Sequence, residues 1–194
     1  KMKHYYSKLR SIGFVHEAIW AGTATELGSG NSPGNRPDSF KDFLKIFFAA
    51  DGPLIEGDPH ANALGSHTGI WDFSYIKEHN NKKLKLYYQH YFEDTSSLRF
   101  ANKTDGLWGL ELTNYIPKLN ILLEYLDTSH CCIDPPYQND YYYWNYQYRD
   151  GWKYKNMIIG NPFVNNDRGY DEIRLVHLGV NAHIRKSILS VLMM

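Results

Sequence analysis

From His67 onward the chain alternates between apolar and polar residues over long stretches. His67 to Lys77 puts Trp71, Phe73 and Tyr75 on one face and Asp72 and Ser74 on the other. Lys83 to Glu93 sets Leu84, Leu86, Tyr88 and Phe92 against Lys85, Gln89 and Glu93. Gly106 to Asn114 sets Trp108, Leu110 and Leu112 against Gly109, Glu111 and Thr113. Lys118 to Thr128 sets Leu119, Ile121, Leu123 and Tyr125 against Asn120 and Glu124. Asp171 to Ile184 sets Val176, Leu178, Val180, Ala182 and Ile184 against His177, Gly179, Asn181 and His183. An earlier segment, from about Ile12 to Gly22, has the same period. A period of two is that of a β-strand with one apolar face. The segments run about 9–12 residues, longer than the ~5–6 of a common globular strand. They match the ~9–11 that a tilted strand needs to cross a bilayer.

The connections alternate in length. Glu78–Lys82 and Tyr115–Pro117 are tight, whereas Thr23–Ser66, Asp94–Asp105 and Ser129–Tyr170 are long. If each strand runs antiparallel to the next, all the long connections fall on one side and the tight ones on the other. Transmembrane barrels sort their loops this way, short on the periplasmic side and long outside. The pattern therefore predicts an all-β, antiparallel transmembrane barrel occupying the whole of residues 1–194. Six such strands fall short of the eight or so that close a membrane barrel, so the chain reads as a portion of one. Segments 1–10 and 185–194 are candidates for parts of further strands.

One stretch breaks the period. Pro37-Asp38-Ser39-Phe40-Lys41-Asp42 opens a short amphipathic helix inside the first long loop, with a capping box from Ser39 to Asp42. Phe40, Phe43, Leu44, Phe47 and Phe48 share one face, and Gly52-Pro53 ends the helix. Such a face packs onto the barrel rim or into its lumen, or lies on the membrane surface.

Composition narrows the choice. Lys+Arg and Asp+Glu are 21 each, which argues against a nucleic-acid partner. There is no run of some 18 apolar residues, so no transmembrane helix, but barrel strands would not show one either. The 16 Tyr, 5 Trp and 9 Phe suit interfacial girdles and sugar-stacking faces alike. The only cysteines, Cys131 and Cys132, are adjacent and close no loop. The first residues carry no signal-peptide pattern, so an exported chain would have lost one or be an internal piece.

Candidate chemistry concentrates in the last long loop. Tyr141, Tyr143, Trp144, Tyr146 and Trp152 offer aromatic faces for sugar C–H surfaces, and Arg149 a fork for an acidic sugar's carboxylate. These six form the expected polysaccharide-binding set, although the Tyr141–Tyr148 run also has strand character. The histidines show no zinc spacing. Asn165–Glu172 is rich in oxygen ligands but lacks the EF-hand spacing. No metal, cofactor or catalytic residue is expected. Glu111 and Glu124, on neighbouring strands and both on the polar face, are the one carboxylate pair that could serve as an acid and a base.

The order of the motifs also resembles a known family. Asp105-Gly106-Leu107-Trp108-Gly109-Leu110-Glu111 leads to Leu123-Glu124-Tyr125-Leu126-Asp127-Thr128, then to Tyr146-Gln147-Tyr148-Arg149-Asp150-Gly151-Trp152-Lys153-Tyr154. Ile158-Ile159-Gly160-Asn161-Pro162, Asn166-Asp167-Arg168 and Val176-His177-Leu178-Gly179-Val180 follow. This series resembles the C-terminal half of the capsule assembly Wzi family in its Bacteroidetes-type form, most clearly over residues 84–184. The resemblance implies a bacterial outer-membrane barrel of about 18 strands that attaches capsular polysaccharide to the cell surface. Its implied partners are capsular or other surface polysaccharide and outer-membrane lipid, and the open edges of an incomplete barrel add a partner barrel or other surface-complex subunits, or the rest of the same chain. The family often carries His before the proline of its Ile-Gly-x-Pro motif, where this chain has Asn161. The alternative is a soluble, secreted all-β domain that binds or cleaves glycans. In that case Leu84, Leu86, Leu110, Leu112, Ile121 and Leu123 would contact a protein core instead of lipid.

Overall fold

A computed structural model describes residues 6–24, 34–52, 64–130, 142–145, 148, 152–155, 157–164, 172–184 and 187–193. In chain order the elements are β1 (Tyr6–Ile19), β2 (Thr23–Ala24), β3 (Gly34–Asn35), α1 (Phe40–Phe47), β4 (Ser66–His79), β5 (Lys82–Phe92), α2 (Thr95–Leu98), β6 (Gly106–Ile116), β7 (Leu119–Asp127), β8 (Lys153–Tyr154), β9 (Met157–Ile158), β10 (Arg174–Ile184) and β11 (Ser187–Met193). Seven of the strands form one antiparallel sheet in the order β1-β4-β5-β6-β7-β10-β11. The expected strands are present. Tyr6–Arg10 is not part of a separate strand but the first third of β1, while Ser187–Met193 is a strand of its own.

The hairpins are tight because the chain carries the right turn residues. Asn80 and Asn81 both have positive φ, 47° and 63°, the conformation of a type I′ turn whose twist matches its strands. Pro117-Lys118 closes β6 onto β7, with φ fixed by the proline ring and then reversed to 65° at Lys118. The three longer connections, 20–65, 93–105 and 128–173, all leave and rejoin the strands at the opposite end, as the alternation of loop lengths predicted. We call that end outer.

Register sorts the side chains cleanly. On one face run Ile12, Phe73, Tyr88, Trp108, Tyr125 and Val176, each opposite the next. Two residues further from the outer end, Tyr75, Leu86, Leu110, Leu123 and Leu178 make a second apolar row. Tyr88 stacks on Trp108 with centroids 4.0 Å apart. Nothing covers these rows among the described residues: Ile12, Leu86, Trp108, Leu123, Tyr125 and Val176 are all exposed. An open apolar depression of about 660 Å³ lies between them. The other face carries Ser11, Asp72, Gln89, Glu111, Glu124 and His177. It is laced by hydrogen bonds from the Gln89 amide to Asp72 (2.9 Å), from Lys83 to Glu111 (3.1 Å) and between His177 Nδ1 and Glu124 (2.8 Å). A sheet with hydrogen-bonded polar side chains on one side and a bare apolar surface on the other reverses the arrangement of a soluble protein.

Both helices sit at the outer end of the apolar face. The Leu98 carbonyl accepts from the Trp71 indole (3.4 Å), and the Ser97 carbonyl lies 2.8 Å from His90 Nε2. Phe100 stacks on the His90 ring at 4.0 Å. His67 and His90 are thereby buried under the loops, each held by a backbone carbonyl. The capping box of α1 is formed: the Ser39 hydroxyl accepts from the Asp42 N–H, and Asp42 accepts from the Ser39 N–H at 3.0 Å.

Candidate functional site

The last long loop crosses the outer end of the polar face. Tyr142, Tyr143, Trp152 and Val164 are buried in it, packed against Tyr91 of β5 and Leu126 of β7. Ile70, Leu107 and Leu175 extend the cluster along the sheet. Polar contacts fix its course. The Trp152 indole donates to Ser66 Oγ (3.2 Å), the Asn145 amide to the Gly65 carbonyl (3.2 Å), and the Tyr148 hydroxyl to the Ala21 carbonyl (3.3 Å). The loop leaves β7 and returns to β10, but its middle is fastened to the ends of β1 and β4. It therefore spans the sheet instead of hanging from one edge.

Its inner anchor is Asp105. That carboxylate is fully buried and accepts from the His130 N–H (3.0 and 3.1 Å) and the Tyr142 hydroxyl (3.2 Å), with His130 Nδ1 at 3.2 Å. Burial pushes the carboxyl up to about 6, against the pull of these donors, because the charged form has lost its water. Asn102 completes the junction, its amide donating to the Tyr91 carbonyl at 2.8 Å and to the Tyr142 hydroxyl.

Asp105, Asp127 and His130 bring ligand atoms within 4.8 Å of one another. Two carboxylates and an imidazole are a metal-ligand set in kind. Here the carboxylate oxygens already accept hydrogen bonds. Asp127 accepts from the Ser129 N–H (2.9 Å), the Ser129 hydroxyl (2.6 Å) and the Tyr125 hydroxyl (2.9 Å), and Arg174 Nε lies 3.5 Å away. The cluster works as a hydrogen-bonded junction between two loop feet.

Beneath the loop is a cavity of about 330 Å³ between Gly160–Phe163 and the sheet. Gln89, Tyr91, Asn161, Glu124 and His177 line it. Asn161 stands at its edge, its amide donating to the Tyr91 hydroxyl and its N–H to the Tyr143 hydroxyl, both at 3.1 Å. An aromatic ring flanked by carboxamides, a carboxylate and an imidazole suits hydroxyl-rich ligands. Glu124 accepts from Tyr87 and His177, and Glu111 from Lys83 and Thr113. The two glutamates thus belong to separate hydrogen-bonded groups on the wall.

The expected binding residues divide three ways. Tyr143 and Trp152 are 6% exposed and form the packed base of the loop. Trp144 is half-buried beside them. Tyr141, Tyr146 and Arg149 lie outside the described residues. The described part of the Tyr141–Tyr148 run forms turns and bends rather than a strand, and Tyr143 has φ 62°. Sequence reasoning missed the Asp105–His130–Tyr142 junction, since its members come from separate loops and no spacing links them.

The family model described as capsule assembly protein Wzi matches residues 12–184. No curated protein matches the chain. No solved structure matches it either.

Proposed function

Because the chain belongs to the capsule assembly protein Wzi family, we propose that it binds or anchors surface polysaccharide through its long outer loops. The family's proteins are β-barrels of the outer membrane with a role in capsule assembly. Its place in that membrane puts the bare apolar rows against lipid and the hydrogen-bonded face toward the lumen. The three long loops then face the outside, where capsule is assembled. The observation that carries the reading is the fastening of loop 128–173 across the outer end of the sheet by Trp152, Asn145 and Tyr148. The described segments held at these points form a preorganised base, and preorganisation lowers the entropic cost of holding a flexible glycan.

In this reading Tyr143 and Trp152 build the platform. Trp144 and the neighbouring Tyr141, Tyr146 and Arg149 supply the contacts, with Arg149 selecting for an acidic sugar. The partner is capsular or other surface polysaccharide. The remainder of the barrel wall comes from further sequence or from other subunits of a surface complex, and the whole described chain acts as one unit of it.

The test is made in capsulated cells that lack the gene and are complemented with the full-length protein. Trp144→Ala combined with Arg149→Ala should leave the amount of protein in the outer membrane unchanged and move polysaccharide from the cells to the medium. Retention of capsule at the level of the unaltered protein, with both residues replaced, would count against loop-mediated binding.

A further inference from the structure

We infer that α1 is an interfacial helix, seated on the lipid of the outer leaflet at the edge of the barrel wall. The inference rests on the outer-membrane reading above and adds a second, helical contact with the bilayer.

The first observation is which side of the helix docks. Its sequence is amphipathic, but the residues facing the protein are not those of the apolar stripe. Ile46 is buried, and Ala49 just beyond the helix is fully so. Gly65, with φ 90°, lets the Ile46 side chain approach the backbone at the start of β4. Phe40, Phe47 and Phe48 are 75%, 61% and 65% exposed, and Phe43 and Leu44 are exposed as well. At ~100° per residue Asp42 and Lys45 lie away from this stripe, and Lys41 borders it. A helix that docks by one flank while five large apolar side chains point elsewhere has a second apolar environment to satisfy.

The second observation says what that environment is. The stripe continues the lipid-facing surface of the wall. The Phe47 carbonyl faces the ring of His16, which shares a face of β1 with Ile12 and Phe14 and lies 2.9 Å from His67 Nδ1 through its Nε2. The Phe43 ring lies 6.0 Å from that of Trp20, one residue past β1. The Ala49 carbonyl accepts from the Thr95 hydroxyl at the head of α2, and α2 caps the same face over β5. The helix therefore stands at the outer end of the bare apolar rows and not over the lumen.

The third observation is one of height. On β7 the apolar row runs from Leu119 to Tyr125, about 20 Å of strand at ~3.4 Å per residue. On β4 it runs from Trp71 to Tyr75, about 14 Å, with Lys77 beyond it toward the tight-turn end. With the strands tilted, neither reaches the ~25 Å of an outer-membrane apolar band. At the outer end the apolar row stops at Trp71 on β4 and at Phe14 on β1, and α1, about 10 Å across with its side chains, stands just beyond. The aromatic stripe extends the band beyond its outer edge, and Lys41 at the border of the stripe can reach toward lipid phosphates.

The test uses the full-length protein in vesicles, with Cys131 and Cys132 replaced by Ser. Single cysteines at Phe40→Cys, Phe47→Cys, Lys45→Cys and Leu86→Cys carry an environment-sensitive fluorophore. A heat-modifiable mobility shift confirms that each variant is folded. The vesicles contain lipid brominated either near the headgroup end or near the methyl end of the chain. The expected result is loss of fluorescence at positions 40 and 47 with shallow bromines, at 86 with deep ones, and no loss at 45. Quenching at 86 without quenching at 40 and 47 overturns the helix inference and leaves the barrel standing; another loop or subunit would then cover the stripe. If 86 is not quenched, the outer-membrane reading falls and the helix inference with it.

Discussion

The hydroxyl of Tyr142 donates to the buried carboxylate of Asp105 at 3.2 Å, across 37 residues of sequence. That contact joins the foot of one outer loop to the middle of another, over a cluster of Tyr91, Leu126, Trp152 and Val164. Tyr142→Phe keeps the ring and removes the donor, leaving Asp105 and the Asn102 amide each one partner short. A buried hydrogen bond to a charged group contributes about 1.5–3 kcal/mol. The expected outcome is faster amide exchange and faster proteolysis in loops 93–105 and 128–173, with the strands unchanged. Uniform protection of these loops in the variant would mean that the junction is not what holds them.

The same carboxyl gives the junction a pH dependence. The folded value of Asp105 is raised above that of an unfolded aspartate, up to about 6. The neutral form is favoured by the fold, so its contribution is complete below the unfolded value near 4 and is lost as pH rises through the folded one. Loop protection, followed by amide exchange corrected for intrinsic rates, should fall between about pH 4 and 6 and level off above. Asp105→Asn keeps the shape without the charge and should flatten that window. An unaltered slope in Asp105→Asn would assign the titration elsewhere.

Gly109 makes a third point, about the polar wall. A Cβ there would lie within the ring of Tyr87 on the neighbouring strand. Tyr87 in turn donates to Glu124, which His177 also contacts. Gly109→Ala should push the ring aside and loosen this group, at a cost of about 1–3 kcal/mol for overpacking. Urea-dependent folding into vesicles measures it, and Gly22→Ala, whose Cβ would meet nothing within 4 Å, is the control for the residue change alone, its own positive φ adding a strain that Gly109 lacks. Equal stability of Gly109→Ala and the unaltered protein would show that the ring yields without cost.

Much of this architecture is readable along the chain. Alternation over Trp71–Tyr75 or Leu119–Tyr125 dictates both the strand and the face, because a one-residue slip would send every apolar side chain to the polar side. Asn80-Asn81 and Pro117-Lys118 carry their turns in their residue types. The capping box of Ser39 and Asp42 fixes the start of α1. The gaps are of one kind. An aromatic in a long loop packs inward or outward according to contacts made far away in sequence, so Tyr143 and Trp152 read as binding surface although they form the base of the loop. In α1 the periodicity identified the apolar stripe but not which flank would dock on Ile46. Asp105, Asp127 and His130 meet only because β6 and β7 pair in one register, and nothing local announces it.

The strongest consequence of the fold concerns the two faces themselves. Leu110 and Ser74 lie on strands of the same sheet, one in the bare apolar rows and the other on the hydrogen-bonded face, where its hydroxyl meets that of Ser11 at 2.6 Å. In a soluble sheet an arginine at the exposed apolar position would be harmless or helpful, since it would place a charge in water. In a bilayer it must be dragged into hydrocarbon, which costs about 2–4 kcal/mol near the midplane and falls toward zero at the interfaces. Ser74→Arg faces a polar lumen, where a charge keeps its solvation. The expected result is a loss of folding free energy of that size for Leu110→Arg and a change of less than about 1 kcal/mol for Ser74→Arg, read from denaturant titrations of folding into vesicles. The reverse ranking would exchange the faces, putting the aromatic rows in a protein core and the Glu124–His177 group toward the outside. Neither the lumen reading nor the seat of α1 could survive that exchange, because both depend on which face meets lipid.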